Sequence, residues 1–370
     1  MHVNRSILIV VSTLTAGGAE RAASEIANAW AMRGSRVALL TISSVQSDHY
    51  RLHANVMRIA VNLIWDSKGL WDALLSNLRR SFTLRREILR FRPDVVITFA
   101  DQTNMRVLAA MLGTGTPVIV SERIDPRVHR ISRGWSLARR LLYPFSAALV
   151  VQTRSVASWA VQVVHKKKVR VIPNFVRAMN FVSSRTNGHY LLAMGRLDAQ
   201  KGFDLLLKAY AASSARELGF RLKIVGVGHE LGNLTALGRQ LGIEGYLDFP
   251  GASLTPEVEM MQATMFVLSS RFEGFPNVLV EAMALGCAVI ATDCPSGPAE
   301  IITDGRDGLL VPTEDIAALT RALDRLLKSP ELRKKLGDAA TEIRCRLSIE
   351  RVLEKWDAVV EEVSARGGPR

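Results

Sequence analysis

Short apolar runs alternate with helical periodicity along the whole chain. In the first half, strand-length apolar runs occupy residues 7–11, 36–41, 94–98, 118–120 and 148–151. A glycine-containing loop and a helical segment at 22–32 separate the first two runs, which predicts a β-α-β unit. Because these runs are apolar throughout instead of alternating, we expect a parallel sheet covered on both faces.

The same pattern restarts after a polar, glycine-bearing segment at 183–188. Further apolar runs follow at residues 190–194, 222–225, 247–249, 265–268, 288–291 and 308–311. The chain is therefore predicted to be an α/β protein with two doubly wound, Rossmann-like domains, at 1–178 and 188–347, joined by a linker near 176–188. An amphipathic helix and tail, at 348–370, is expected to cross back over both domains.

Loops that follow strands are the candidate sites, because open α/β sheets bind ligands at the carboxyl ends of their strands. Two facing domains would leave a cleft there. Gly17 and Gly18 follow the first strand. Glycine lets the backbone approach a ligand, and a helix N-terminus attracts anions, so this loop suits a phosphate. A tight turn with no ligand is the alternative.

A second loop places two cations at the start of a helix. Gly195 opens it, and Arg196 and Lys201 bracket the helix start. Two cations there can neutralise a diphosphate without a metal ion, so no metal site is expected. Solvent-facing charge is the alternative.

A third loop carries two glutamates with seven residues between them. Asn277 is expected to cap a helix at 278–285, which puts Glu281 in the first helical turn and Glu273 in the loop before it. Both carboxylates could then accept hydrogen bonds from the hydroxyls of a ribose or hexose. Alternatively, Glu281 only complements the helix dipole.

Two further loops are less informative. The Pro- and Gly-rich segment 292–300 suits either a rigid connector or a ligand loop. Gly226 and Gly228 follow a strand, but Leu231 stands where a dinucleotide fingerprint has its third glycine, which argues against a dehydrogenase.

The charge of the chain is uneven. Lys and Arg total 48 and Asp and Glu 35, a net charge of +13. Residues 1–180 hold 26 basic and 10 acidic side chains, a net charge of +16, whereas residues 181–370 have a net charge of −3. This imbalance predicts an anionic partner for the first domain.

Two arginine-rich segments of the first domain suit an anionic membrane surface. The helical segment 70–91 is predicted to show an apolar face formed by Trp71, Leu74, Leu75, Leu78, Phe82 and Leu89, beside a stripe of Arg79, Arg86 and Arg90. A second cluster contains Arg123, Arg127, Arg130, Arg133, Arg139 and Arg140, with Trp135 and Tyr143. The same arginines could line a path for a lipid diphosphate, or could simply be solvated.

Three cysteines, at 287, 294 and 345, are too few for a disulfide framework and are expected to be buried in a reduced compartment. No apolar run is long enough to span a bilayer, and the first residues suit a buried strand instead of a signal peptide. We therefore expect a cytoplasmic protein on the inner face of the membrane.

Taken together, these loops resemble glycosyltransferase family 4, which has the GT-B fold. The resemblance covers nearly the whole chain and is most specific at 269–277 and 293–298. Segment 121–126 resembles the same subgroup, except that the position of Ile124 is more often polar there. Members of that subgroup extend glycans on polyprenyl-diphosphate carriers or build exopolysaccharide and lipopolysaccharide.

The resemblance implies a role for each candidate residue. Arg196 and Lys201 would hold the donor diphosphate, which Gly17 and Gly18 would approach from the other domain. Glu281 would take the ribose hydroxyls. The donor sugar or phosphates would meet Glu273 and the backbone N–H groups of Phe275, Asn277 and Val278. Gly195, on the Lys201 loop, would also bind the donor. Glu122, Arg123 and Arg127 would serve the acceptor. Asp101, at the end of a predicted strand, is a further candidate for contacting the acceptor, with a turn or cap residue as the alternative.

The resemblance further implies a retaining transfer that needs neither metal nor cofactor, from a UDP-hexose or UDP-N-acetylhexosamine donor. A sugar-nucleotide epimerase of the same fold would consume the donor with no acceptor present. A basic module that binds lipid or nucleic acid would need neither glutamate. The paired glutamates argue against that module, and no nucleic-acid partner is expected.

Overall fold

The computed structural model describes residues 5–62, 70–129, 131–177, 179 and 188–366, without the side chains at 47, 70–79 and 366. The linker predicted near 176–188 lies almost entirely outside the described residues. The chain divides into two compact units. One comprises Met1–Pro173 with Val352–Arg370, and the other Asn174–Arg351.

The first unit is built on a parallel sheet whose described residues form seven strands in the order β3-β2-β1-β4-β5-β6-β7. The strands are β1 (Ser6–Val11), β2 (Arg36–Thr41), β3 (Val56–Ala60), β4 (Val95–Phe99), β5 (Val118–Ser121), β6 (Ala148–Val151) and β7 (Val169–Val171). The central strands are buried on both faces, as their uninterrupted apolar sequences predict. The edge strands β3 and β7 were not predicted.

The helices that connect these strands are α1 (Gly18–Met32), α2 (Leu70–Phe91), α3 (Asp101–Met111), α4 (Arg133–Leu142) and α5 (Arg154–Ala160). Helix α1 begins at Gly18, four residues before the predicted start, because Gly17 already occupies the N-cap position.

The second unit repeats this architecture. Its described residues form six parallel strands in the order β10-β9-β8-β11-β12-β13. The strands are β8 (Tyr190–Met194), β9 (Arg221–Val225), β10 (Leu247–Gly251), β11 (Met265–Leu268), β12 (Val289–Asp293) and β13 (Leu309–Pro312). The helices are α6 (Phe203–Ala212), α7 (Leu231–Gln240), α8 (Pro256–Gln262), α9 (Asn277–Ala284), α10 (Pro298–Ile301), α11 (Ile316–Leu327), α12 (Pro330–Ala340) and α13 (Ile343–Arg346). Two Rossmann-like parallel sheets are thus confirmed.

The closing helix α14 (Ile349–Arg366) returns the chain to the first unit, to which it belongs from Val352 onward. Trp356 packs against Trp30 and Phe99 at ring-centroid distances of 6.5 and 5.9 Å. The indole Nε1 of Trp30 donates a hydrogen bond of 2.7 Å to Asp357. These contacts fix α14 through buried aromatic surface and one charged hydrogen bond.

The sequence also predicted buried cysteines and no apolar run long enough to span a bilayer. Cys287 and Cys294 are buried, but Cys345 is exposed, because the neighbouring Ile343 is the residue of the short helix α13 that turns inward. Within the described part of the chain, no helix is both long and apolar enough to cross a bilayer.

Candidate functional site

The candidate donor residues of the second unit flank the point where its sheet reverses strand order. Strands β8 and β11 are neighbours although two other strands separate them in the sequence. Lys201 follows β8 and Glu273 follows β11. Open α/β sheets bind their ligands at this switch point, beyond the carboxyl ends of the strands.

Lys201 and Glu273 form a largely buried ion pair. Lys201 Nζ lies 2.7 Å from Glu273 Oε1, with exposed side-chain fractions of 14% and 6%. The same oxygen accepts a 2.6 Å hydrogen bond from Ser270 Oγ. The structure therefore brings together two of the residues predicted for the donor site. Ser270 helps to hold the Glu273 carboxylate beside the Lys201 ammonium group.

Arg271 ties the two loops to each other. Its guanidinium makes two 2.8 Å hydrogen bonds to the carboxylate of Asp204 and a further one, of 2.8 Å, to Ala199 O. A bond of 2.7 Å joins it to Glu314. Through these bonds Arg271 holds the pKa of Asp204 below its ordinary value. The Lys201 loop is thus pinned to the Glu273 loop by a charged clamp.

Two glycines allow this close packing of loops. Gly202 has a φ of +60°, and a Cβ there would lie 2.2 Å from Ser269 O. A Cβ on Gly195 would lie 3.1 Å from Cε of Lys201, so this glycine gives the lysine side chain its path. A Cβ on Gly226 would lie 1.8 Å from Gly195 O, which explains that glycine through packing alone.

Arg196 lies on the same loop but points to solvent. Its side chain is 74% exposed and lies 3.4 Å from the Asp198 carboxylate. It makes no contact with Glu273 in the described structure. Arg196 is therefore free to rotate toward an incoming anion at little cost, whereas Lys201 is already held in place.

Helix α9 differs from the prediction by one residue. Pro276 occupies the N-cap and Asn277 is the first helical residue, so Asn277 does not cap the helix. Instead Asn277 Oδ1 accepts a 2.7 Å hydrogen bond from Asn174. Glu281 consequently lies in the second turn, not the first, and it is 5% exposed.

The remaining donor residues surround α9 in the same unit. Phe275 is 9% exposed, and Val278 is half-buried. The Pro- and Gly-rich loop is joined to them, since Ser296 Oγ donates a 2.9 Å hydrogen bond to Glu273 O. Burial of Cys294, which belongs to this loop, raises the pKa of its thiol to about 12, and the Glu273 carboxylate adds to the shift.

Gly17 and Asp101 flank the corresponding switch point of the first unit, since they follow the neighbouring strands β1 and β4. Gly17 and Gly18 are the N-cap and first residue of α1. The carboxylate of Glu20 folds back over Gly17, where an added Cβ would lie 2.1 Å from Glu20 Oε2. An anion bound at this helix start would therefore have to displace Glu20.

A buried polar cluster follows β4 and β5. Asp101 Oδ2 and Glu122 Oε1 lie 3.4 and 3.5 Å from nitrogens of Arg139, and the Tyr143 hydroxyl donates to Glu122. His129 lies 3.5 Å from Asp101. Burial raises the pKa of Glu122 to about 7, although Arg139 and the Tyr143 hydrogen bond oppose the shift.

This cluster corrects part of the predicted arginine-rich surface, in which Arg133 and Arg140 are exposed and Arg130 lies outside the described residues. Glu122, Arg139 and Tyr143 are 3%, 7% and 0% exposed, so they lie inside the unit and cannot touch a membrane. Arg123 is half-buried over the ring of Phe99, and burial lowers its pKa to about 9. At the end of the sheet Tyr143 donates a hydrogen bond to Glu122 and Arg139 forms an ion pair with it, contacts that a surface position would not require.

The Arg127 guanidinium is also held by a partner within the protein. It forms a forked pair with the buried Asp125, whose carboxylate lies 2.6 Å from Arg127 Nη2. Such a bidentate pair leaves little of the guanidinium for a lipid headgroup.

The predicted helix over Leu70–Phe91 is confirmed, but its apolar face is not. Phe82 is 71% exposed, whereas Leu84, Ile88 and Phe91 are buried against the sheet. Most of the predicted face, and Arg79, lie among side chains outside the described residues. Two arginines of the predicted stripe, Arg86 and Arg90, are exposed on either side of Glu87.

Known proteins share both units. Residues 16–178 match the family described as Glycosyltransferase Family 4, and residues 177–343 match Glycosyl transferases group 1. A relative from Campylobacter jejuni is 30% identical over 96% of this chain and 98% of its own length. It is named GalNAc-alpha-(1->4)-GalNAc-alpha-(1->3)-diNAcBac-PP-undecaprenol alpha-1,4-N-acetyl-D-galactosaminyltransferase. The chain belongs to glycosyltransferase family 4.

Two further proteins are similar to this family 4 glycosyltransferase. The N-acetylgalactosamine-N,N'-diacetylbacillosaminyl-diphospho-undecaprenol 4-alpha-N-acetylgalactosaminyltransferase of Campylobacter jejuni is 29% identical over 65% of this chain and 69% of its own. Among solved structures, HepE of Anabaena in complex with UDP has a TM-score of 0.78 at 16% identity, over 97% of this chain and 100% of its own. The latter likeness establishes the GT-B fold.

Sequence patterns had indicated the charged residues of this glycosyltransferase but not the groups that position them. Ser270, Asp204 and Ser296 carry no signal of their own, because Ser and Asp are common in loops. Arg271 stands two residues before Glu273, yet its partner Asp204 is distant in sequence. Chemically, the loops offer a fixed cation in Lys201, a movable cation in Arg196 and a fixed carboxylate in Glu273, a set that suits a phosphorylated sugar.

Proposed function

We propose that this enzyme transfers a sugar, with retention of configuration, from a UDP-sugar to a glycan on a polyprenyl-diphosphate carrier. The observation that carries the donor half is the Lys201–Glu273 pair at the switch point of the second sheet. A cation held there meets the phosphates where such sheets bind them. The acceptor half is supported by the names of the two Campylobacter relatives, both of which refer to undecaprenol-linked substrates.

In this proposal, Lys201 and Arg196 neutralise the donor diphosphate. Departure of the nucleotide places negative charge on its phosphates, and fixed cations stabilise that charge without reorganisation. Lys201 is preorganised by Glu273, whereas exposed Arg196 moves onto the phosphates when the donor arrives. No metal is assigned to this step, since the side chains supply the positive charge. Gly195 keeps the approach to Lys201 open.

In this proposal the carboxylates of Glu273 and Glu281, together with the start of α9, bind the donor sugar and the ribose. Glu281, buried on the second turn of α9, takes the ribose hydroxyls. Glu273 and the loop through Phe275, Asn277 and Val278 meet the donor sugar. Because Lys201 and Ser270 already hold the Glu273 carboxylate, the proposal assigns it to positioning instead of to nucleophilic attack. The acceptor attacks from the face that the nucleotide leaves, and the leaving phosphate takes its proton.

For the acceptor, the proposal retains Asp101 and drops the surface roles of Glu122, Arg123 and Arg127. Asp101 begins α3 just after Ala100, whose φ of +71° is unusual for a residue other than glycine. Strain of this kind concentrates at functional positions. The net charge of +16 over residues 1–180 supports attachment to the inner face of an anionic membrane. The roles of Gly17 and Gly18 stay predictions.

The decisive experiment combines labelled nucleotide sugars with an undecaprenyl-diphosphate-linked glycan. We expect label in the lipid fraction, an α-linked product by NMR from an α-linked donor, and no consumption of donor without acceptor. Lys201→Met and Glu281→Gln should each lower the rate of transfer by about 10² or more. Lys328→Ala, which removes a 62% exposed lysine at the C-cap of α11, is the matched control and should leave transfer intact. Donor turnover without acceptor would indicate an epimerase instead.

A further inference from the structure

Helix α4 of the first unit exposes a stripe of bulky apolar side chains. Leu137, Leu141 and Phe145 are 58%, 60% and 66% exposed. Leu137 and Leu141 are four residues apart on the helix, and Phe145 ends the 3₁₀ turn that continues it, so the three share one side. The other side of α4 packs against the core of the unit through Trp135 and Leu142. The stripe is therefore additional to the face that stabilises the fold.

Exposed cations border this stripe. Arg133 lies four residues before Leu137 on α4 and Arg140 three residues after it, and both are exposed. Positions at these spacings are neighbours on a helix surface. No Asp or Glu occurs in the sequence from Pro126 to Leu197, so no acidic residue of that segment offsets their charge.

A lysine-rich turn adds to the same border. Lys168 Nζ donates hydrogen bonds of 2.8 and 2.9 Å to Pro144 O and Ser146 O. These bonds hold the turn Lys166–Lys168 against the residues on either side of Phe145. The first two lysines of that turn are exposed. The apolar stripe consequently ends beside two exposed ammonium groups, those of Lys166 and Lys167.

A polar groove lies beside the stripe. It has a volume of about 580 Å³ and is lined by Ser136, Arg140 and Gln162 together with the ring of Trp159. A guanidinium with hydroxyl and amide donors is a set that recognises phosphate oxygens. The groove thus offers space for an anionic headgroup next to side chains that would enter the acyl region.

We propose that this α4 face, formed by the stripe with Arg133, Arg140, Lys166 and Lys167, docks the enzyme on an anionic phospholipid surface. The inference rests on the proposed function, in which the acceptor is anchored in a membrane. Cations alone would suit nucleic acid equally well, but three protruding apolar side chains would gain nothing there. On a bilayer they enter the interface while the cations meet headgroups.

The test is co-sedimentation with vesicles, without donor or acceptor. Wild type should bind equimolar phosphatidylcholine and phosphatidylglycerol vesicles, bind phosphatidylcholine alone weakly, and detach at high salt. Leu141→Glu with Phe145→Glu should reduce binding about tenfold or more. Lys166→Glu with Lys167→Glu, changed at a solvated turn, should do the same. Leu254→Glu alters a fully exposed leucine of the second unit and should bind like wild type.

Two results would overturn the proposal. One is unchanged vesicle binding by both double variants, each shown by its melting temperature to be folded. The other is loss of binding in Phe82→Glu, on α2, with none in the α4 variants, which would place the docking surface on α2. Transfer to a short-chain, water-soluble acceptor should survive in every docking variant. Failure of docking and failure of the transferase assignment are therefore distinguishable.

Discussion

Lys201 Nζ and Glu273 Oε1 are 2.7 Å apart although 72 residues separate them in the sequence. Each follows one of two neighbouring strands, β8 and β11, so the pairing of these strands creates the contact. The ion pair is largely buried, and Ser270 supplies the carboxylate with a further hydrogen bond. It is the structural centre of the donor-site proposal.

Removing the cation should impair catalysis and stability together. We expect Lys201→Met to lower kcat by about 10²–10³, as for other single electrostatic stabilisers. It should also destabilise the fold by about 3–5 kcal/mol, because Glu273 is left buried without its counter-ion. Urea unfolding measures the second effect. The double variant Lys201→Met/Glu273→Gln should regain much of the stability but none of the activity, and a stable single variant would contradict the pairing.

Arg271 is predicted to position the site without touching substrate. Arg271→Gln frees the Lys201 loop from the Glu273 loop, and we expect kcat/KM to fall about tenfold or more. Relieved of its partner, the Asp204 carboxyl should have a higher pKa in the variant, closer to its ordinary value. A carboxyl whose pKa is depressed in the folded protein stabilises the fold at pH values above its ordinary pKa. This stabilisation is lost as the pH falls through the folded pKa, and Arg271→Gln removes it. Acid unfolding should therefore begin at a higher pH in the variant. Identical acid transitions in both proteins would refute the clamp.

The raised pKa of Glu122 predicts a pH dependence of stability opposite in sign to that expected from Asp204. Its pKa is about 7 in the folded protein against an ordinary value of 4.5. The folded state therefore binds the proton more tightly, and this group costs stability as pH rises from 4.5 to 7. Glu122→Gln removes the titrating group. Melting temperatures at pH 5 and pH 8 should differ less in the variant than in wild type, and equal differences would show that Glu122 stays ionised.

Two glycine substitutions should differ sharply in how much they destabilise the fold. Gly202→Ala combines a left-handed backbone with a clash against Ser269 O, which cannot move away, so we expect a loss of stability of about 2 kcal/mol or more. Gly17→Ala meets only the flexible end of Glu20 at a φ of −130°, and should cost less than about 1 kcal/mol. Denaturant titration of both variants checks this order, and the reverse order would contradict the loop geometry.

Most of the fold follows from the sequence because the central strands are apolar throughout. The exceptions are the two edge strands of the first unit. In β3, Met57 is 52% exposed and the intervening Arg58 pairs with Asp48, so no apolar run marks the strand. In β7, Arg170 interrupts two half-buried valines after three lysines. Half-covered strands carry mixed sequences, which local patterns do not identify.

The candidate site could likewise be predicted only in part from the sequence. Loop position and residue type were enough to indicate Lys201, Glu273 and Glu281. They could not indicate the contact of Lys201 with Glu273, which depends on strand order. They also misplaced two members of the arginine-rich cluster, because Arg139 and Tyr143 turn inward toward Glu122. Periodicity within a ten-residue helix does not reveal a buried ionic partner.

Calorimetric titration with UDP tests the donor site most directly. The account predicts that wild type and the control Lys328→Ala bind UDP with equal affinity, and that Lys201→Met binds it about tenfold or more weakly while remaining folded at the assay temperature. Equal affinity of Lys201→Met and wild type for UDP would contradict the assignment of the donor phosphates to this lysine.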